Sequence, residues 1–307
     1  MTDGIELVAG FLAAAVRIAT PLLLAALGET LAERSGVINL GIEGSMLAGA
    51  LAAAIGSSAG GPASGLLAAI GAGTLLALLF AAVTVHAGAD QIIAGTAITL
   101  GAVGLTGAAY RSYYGTGGAG LSIPTLAPVE IPLLGAIPLI GRALFAQPVT
   151  TYVAASLVPL AWWFLFRTRP GLALRAAGES AEGARAAGVR VRALRTGAIA
   201  AGGALAGLAG ATLVLAQVGT FSERMTAGRG FIAIAIVVLG RWHPAGVLAA
   251  ALLFGAATAL QFVFQASGVG VPYQLFLTLP YLLALLGLAG AVGRVRPPRD
   301  LGRREGA

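Results

Sequence analysis

The feature that most constrains this chain is a succession of apolar runs, each about as long as a bilayer core is thick. A spanning helix needs about 20 mostly apolar residues. Runs that qualify lie at 5–27, 37–58, 64–86, 91–110, 148–166, 197–217, 244–266 and 272–293. A shorter apolar run, Phe231 to Leu239, sits between Arg229 and Arg241. It reads as a ninth, compressed span, because such a segment survives only where protein buries it. Just 10% of residues are charged, where a soluble domain carries about a quarter, and mean hydropathy is +0.90. Soluble globular, disordered and nucleic-acid-binding chains are therefore excluded. The fold expected is an all-α polytopic membrane bundle of about nine (8–10) spans, one transmembrane domain over residues 1–307. The first run lacks a basic leader and is too long for a signal-peptide core, so it reads as a span.

Charge orients the bundle. Residues 167–195 hold seven arginines against Glu179 and Glu182, and the tail 294–307 holds five against Asp300 and Glu305. The positive-inside rule puts both clusters in the cytoplasm. An even number of crossings must separate them, and the short run 231–239 supplies the fourth. Five crossings precede the loop, which leaves the N-terminus outside, where Asp3 and Glu6 precede the first arginine, Arg17. The basic balance thus reflects topology and attraction to lipid headgroups, and nucleic acid is not an expected partner.

Two absences narrow the chemistry. There is no cysteine, and all 19 basic residues are arginine. Thiolate chemistry is out, and so is a P-loop, which needs a lysine on the phosphates. The two histidines, His86 and His243, sit at span boundaries without a metalloprotease or hydrolase motif around them. No catalytic residue, metal site or cofactor is expected in this chain. Gly115, Gly117 and Gly120 form a G-x-G-x-x-G, but in an external loop between spans, not in the strand–helix setting a dinucleotide needs. The motif reads as flexible loop within the longest external segment, 111–147, which is rich in Gly and Pro. Gly203, Gly207 and Gly210, like Gly101, Gly104 and Gly107, are spaced to let helices approach closely.

Polar residues gather, against the composition, between Gly28 and Gly49. Asn39 and Glu43 are four apart and share a helix face. Glu43 lies about six residues inside a span, where an ionisable group is a functional hypothesis. With Gln91 and Thr99 these residues are the candidates for lining a pathway for a small polar, uncharged solute. Glu29 and Glu33, at the boundary, are expected to be structural. In the basic loop, Ser180 can cap a short helix over about 181–187, with Glu182 in its first turn and Gly188 ending it.

Three stretches together resemble one family. They are GETLAERSGVINLGIEGSMLAGA from Gly28, GESAEGARAAGV from Gly178, and ERMTAGRGFIAIAIVVLGRWHPAGVLAAALLFG from Glu223. In this order and spacing they are similar to the membrane permeases of ABC importers for branched-chain amino acids, simple sugars and nucleosides. The nucleoside-type branch, and the shorter of its two paired permeases, is the nearest likeness, over about residues 8–293. The resemblance implies the ABC importer permease fold in a bacterial cytoplasmic membrane, working by alternating access. It also implies a partner ATP-binding cassette that holds the ATP and magnesium, a second homologous permease, and an extracytoplasmic substrate-binding lipoprotein. The cassette would dock on Gly178, Glu179, Ser180, Ala184, Arg185 and Gly188. The family's loop often has proline where this chain has Ala181. The competing expectations are a secondary transporter or channel without an ATPase, and an accessory membrane subunit.

Overall fold

The structure, a computed structural model, describes residues 2–115, 123–132, 135, 137, 140–266, 278, 282 and 296–303. Its long helices are α1 (Thr2–Arg34), α2 (Ile42–Gly60), α3 (Pro62–Ala81), α4 (Gln91–Tyr114), α6 (Val149–Arg167), α9 (Val191–Thr212) and α11 (Pro244–Ala266). Short pieces complete it: α5 (Ile140–Phe145), α7 (Arg169–Glu179), α8 (Ala181–Ala186), α10 (Arg229–Leu239), and the strands β1 (Pro128–Glu130) and β2 (Ala146–Pro148). The ends of α3 and α9 widen into π-helical turns over Ala82–His86 and Leu213–Val218. Among the described residues, seven helices are long and apolar enough to cross a membrane, and α10 is the short apolar helix expected between two arginines. The predicted span 272–293 lies outside the described residues.

Local chemistry sets the helix ends. Asp90 starts α4 by accepting hydrogen bonds from the Ile92 and Ile93 N–H groups at 3.0 and 3.1 Å, as an N-cap does. Pro62 opens α3 directly after Gly61, the first-turn position where a missing N–H costs nothing. Gly36, at φ +94°, ends α1. The Val37 N–H reaches back to the Ala32 carbonyl, and the Gly36 N–H to that of Glu33, a Schellman closure. The apolar run expected as a span from residue 37 therefore begins its helix only at Ile42. Residues 35–41 are not helical.

α9 is the hub, packed against α1, α2 and α3. Some 78% of its span is buried, against 28% for α3 and α6. It achieves this with glycine. A methyl group on Gly207 would strike the Ala69 carbonyl oxygen, and one on Gly73 would sit 2.8 Å from Gly207 Cα. Gly49 meets Gly207 from the other side, with 2.5 Å from a built Cβ to Gly207 Cα. Three backbones thus converge on one residue, the packing that replaces hydrophobic drive in lipid. The second glycine series behaves differently. Gly101 and Gly104 face open space, so they do not build this bundle as their spacing suggested.

The external segment 111–147 carries local structure near its end. β1 and β2 pair antiparallel with Val129 opposite Gln147. Tyr152 ties the ribbon to α6, its hydroxyl donating to the Val129 carbonyl at 2.9 Å and accepting from the Gln147 N–H at 3.2 Å. Gly115 only ends α4, while Gly117 and Gly120 lie outside the described residues.

The seam around Gly207 gives a direct test. Gly207→Ala should cost about 1–3 kcal/mol, as overpacking does, and lower the apparent melting temperature of the detergent-solubilised protein. Gly104→Ala should leave it unchanged. Equal melting of the two variants would mean that the seam has room to spare.

Candidate functional site

The break between α1 and α2 is held by side chains from three helices. Glu29 of α1 accepts the Asn39 N–H at 2.8 Å. Asn39 turns its own Oδ1 onto the Gly41 N–H at 3.0 Å, an Asx turn. Gln91, first residue of α4, accepts the Ile38 N–H at 2.8 Å, and Thr99, about two turns further along the same helix, donates to the Leu40 carbonyl at 3.0 Å. At the segment's start, Arg195 Nε donates to the Ser35 carbonyl at 3.0 Å. Unwound backbone inside an apolar bundle must find partners within the protein, and here buried side chains supply them. Asn39, Gln91 and Thr99, chosen from polarity alone, thus come together on one stretch of chain, each already bonded to its backbone.

Glu43 sits at the end of that stretch, in the first turn of α2 and 6% exposed. Its carboxylate serves a different helix. Oε1 accepts from Thr226 Oγ1 at 2.6 Å and from the Gly228 N–H at 2.8 Å, and Oε2 accepts from the Gly230 N–H at 2.6 Å. Gly228 is the N-cap of α10, at φ +81°, and a methyl on Gly230 would sit 2.6 Å from Glu43 Cα. Both positions therefore require glycine. Two helix N-termini, that of α2 and that of α10, converge on one carboxylate. Their partial positive charge and N–H groups stabilise a buried carboxylate.

The far end of α10 is held by a second acid. Arg241 and Trp242 follow the helix at φ +55° and +53°. The Trp242 indole N–H donates to Glu33 Oε2 at 2.5 Å, and Arg34 Nε donates to the Trp242 carbonyl at 2.9 Å. α10 has 11 residues, hence about 16 Å of length, half of a bilayer core. With one end bonded to the last turn of α1, its other end stops midway along the bundle. The chain reaches that point from the opposite side, where Glu223 pairs with Arg111 in the last turn of α4 at 2.8 Å. α10 is thus a half-helix fed from the opposite side by a non-helical segment over residues 219–228. Thr226, Gly228, Gly230 and Trp242 were not singled out from sequence, although all lie in the third family-like stretch.

The basic loop is more structured than expected. α7 precedes the predicted short helix, with Thr168 as N-cap and Pro170 in its first turn. α8 then runs Ala181–Ala186, close to the 181–187 expected, and the Ser180 hydroxyl accepts the Gly183 N–H at 3.1 Å. Gly188 closes it: its N–H bonds the Arg185 carbonyl, and the Val189 N–H bonds that of Ala184. The coupling candidates divide by burial. Ala184 packs with Ala177, Ala181 and Val191, and Gly178 lies against the Arg34–Gly36 backbone, where a methyl group on it would strike the Arg34 carbonyl oxygen and sit 3.2 Å from the Gly36 N. Glu179, Ser180, Arg185 and Gly188 are exposed.

Among the described residues no group of acids and histidines could hold a metal ion. His86 contacts the Thr196 hydroxyl at 3.1 Å, and the His243 ring stacks near Phe166.

Comparison with known proteins assigns this architecture. The family model described as branched-chain amino acid transport system / permease component matches residues 11–288. A guanosine ABC transporter permease protein of Bacillus subtilis is 34% identical, covering 98% of this chain and 97% of that one. A Haloferax volcanii permease protein named for glucose ABC transport is 37% identical over 95% and 94% of the two chains. A nucleoside ABC transporter permease protein of Lactococcus lactis is 33% identical over 91% of each. No solved structure matches. Proteins of this kind are non-enzymatic, multi-pass subunits of the cytoplasmic membrane, served by an ATPase and a substrate-binding partner. The chain belongs to the permease family of the branched-chain amino acid transport system, as a membrane permease subunit of an ABC importer for small polar solutes.

Proposed function

We propose that this permease imports nucleosides, with simple sugars as the second class, and that it does so as one half of a pair with a homologous permease. Two relatives named for guanosine and nucleoside transport support the first class, and the relative named for glucose supports the second. An extracytoplasmic binding lipoprotein delivers solute to the outer face. An ATP-binding cassette docks on the cytoplasmic loop 167–195 through Gly178, Glu179, Ser180, Ala184, Arg185 and Gly188. The tail 294–307 lies on the same side. All of this belongs to one domain.

One observation carries the mechanism: Gly178 rests directly on the backbone of the Arg34–Gly36 turn. A push on α8 therefore arrives where α1 ends. From there the unwound segment leads to Glu43, and Glu43 and Glu33 hold the two ends of α10. Cassette closure would shift α7 and α8 together, displace the segment 35–41, and rotate the half-helix against the wall of the pathway. This is alternating access through helix N-termini and unwound backbone near the bundle's middle, a usual design for solute pathways. In it Asn39, Glu43, Gln91 and Thr99 border the pathway by fixing its wall.

Three measurements test this. Cells expressing the complete complex should accumulate labelled nucleosides well above labelled sugars, and the reverse order would transfer the assignment to sugars. Glu43→Ala strands three donors, at about 1–3 kcal/mol each, and should abolish uptake. Alanine at Asn39, Gln91 or Thr99 should lower it severalfold, and unchanged uptake kinetics across the four would remove them from the pathway. Gly188→Trp puts a bulky side chain on a left-handed residue of the exposed face. It should cut uptake at least about tenfold with membrane insertion intact, and full uptake would count against docking at α8.

A further inference from the structure

Residues 296–303 bind the bundle at three places. At the first, the Asp300 N–H donates to the Gly178 carbonyl at 2.9 Å, and Asp300 Oδ2 accepts the Ala181 N–H at 2.7 Å. One residue thus bridges the junction between α7 and α8 from both sides. Ser180 serves the Gly183 N–H, which leaves the first N–H of α8 to Asp300. At the second place, the Gly302 N–H donates to the Gly36 carbonyl at 3.1 Å, and Leu301 packs against the main apolar core. At the third, Gln91 Nε2 donates to the Arg303 carbonyl at 3.1 Å while its oxygen holds the Ile38 N–H. Arg303 in turn pairs with Asp300 Oδ1 at 3.1 Å.

We propose that this tail is a coupling strap, and that Asp300 is the positioning residue that fixes the angle of α8 on the membrane domain. The chemistry is that of an N-cap supplied in trans: a carboxylate, 17% exposed, on the first N–H of a helix. Its effect differs from local capping because the same eight residues also grip the α1–α2 break and the start of α4. A force on α8 that is transmitted only through α7 can be absorbed by rotation about Glu179 and Ser180. With Asp300 bonded to both Gly178 and Ala181, that hinge is closed, and the displacement passes to Gly36 and to Gln91. This inference rests on the docking of the cassette at α8 proposed above.

The test is the number of solute molecules taken up per ATP hydrolysed by the whole complex in proteoliposomes. Asp300→Ala should lower this ratio about tenfold, the factor one charge-assisted hydrogen bond represents, with the ATPase still co-purifying. Asp300→Asn keeps an acceptor oxygen and should stay within about twofold of wild type. Ala181→Pro, the residue the resembling family often carries here, removes the same bond from the donor side and puts its Cδ where the N–H pointed at Asp300, so the strap is a device of this chain and not of the whole family. Proline suits a first helical position, and Ser180, at φ −159° and ψ 100°, already has the extended backbone required before proline. This variant should match Asp300→Ala, and the double variant should be no worse than either, since both delete one bond. An unchanged ratio in Asp300→Ala or Ala181→Pro, additive losses in the double variant, or no rescue by asparagine would each overturn the proposal. Should Asp300→Ala fail to insert, Ala181→Pro reads the loss of the bond from the other side, with the carboxylate displaced by the proline ring. Gly188→Trp separates the two ideas. If it lowers uptake while the bond variants do not, the strap fails and docking stands. If it leaves uptake and co-purification intact, docking at α8 fails, and the strap as stated goes with it.

Discussion

The constraint on which this structure depends is that backbone donors and acceptors cannot be left bare in an apolar slab. Continuous helices meet it automatically, and most of this chain consists of them. Among the described residues, two stretches inside the bundle do not: the break at residues 35–41 and the non-helical segment ahead of α10. Each exists because buried side chains replace the helical bonds. Glu29, Gln91 and Thr99 serve the first, and Glu43 and Thr226 serve the second. At both interruptions, buried polar residues stand in for the missing helical bonds. Their task is the same in each case, and it accounts for their positions better than contact with a solute would by itself.

The glycines answer a different need. Holding two interrupted segments against the bundle demands close, rigid neighbours, and α9 provides them by bringing its backbone against α1, α2 and α3. Gly28 and Gly202 continue the seam toward the arginine-rich end, with a built Cβ on Gly28 lying 2.9 Å from Gly202 Cα. Side-chain volume is absent along this line, so dispersion between backbones holds the bundle together. Movement there would open a void, whereas movement of α10, fastened at its ends, exchanges hydrogen bonds. Rigidity and mobility are thus assigned to different chemistries.

Much of this was legible in the residues. Apolar runs of the right length found seven spans and the short α10, and Ser180 with Gly188 delimited α8 to within one residue. Glu43 stood out because an acid inside a span needs a reason. What could not be read was pairing. The donors to Glu43 lie 183 to 187 residues away, and the partner of Ala181 lies 119 residues away. Nothing in either neighbourhood announces the other. The same limit explains the glycines, since Gly101 and Gly203 have alike spacing and only one has a helix opposite. α7 was missed for a local reason: its apolar face of Leu174 and Ala177 is set among arginines, which outweighed the Thr168 cap and Pro170. The late start of α2 had its signals in Gly36 and Asn39, masked by the apolar residues between them.

The two acids at the ends of α10 differ in a way that matters for movement. Glu43 holds its end through two backbone N–H groups and one hydroxyl, so the bonds depend on the half-helix keeping its first turn. Glu33 holds the other end through an indole side chain, which can pivot while its bond persists. A displacement entering at Arg34 reaches the pivoting end first, since Arg34 itself bonds the Trp242 carbonyl. The half-helix would therefore turn about its Glu43 end, with the larger excursion near the arginine-rich face. A passage gated in this way opens inward by moving the end of α10 nearest the applied force, and the fixed carboxylate keeps the mid-bundle end in register throughout.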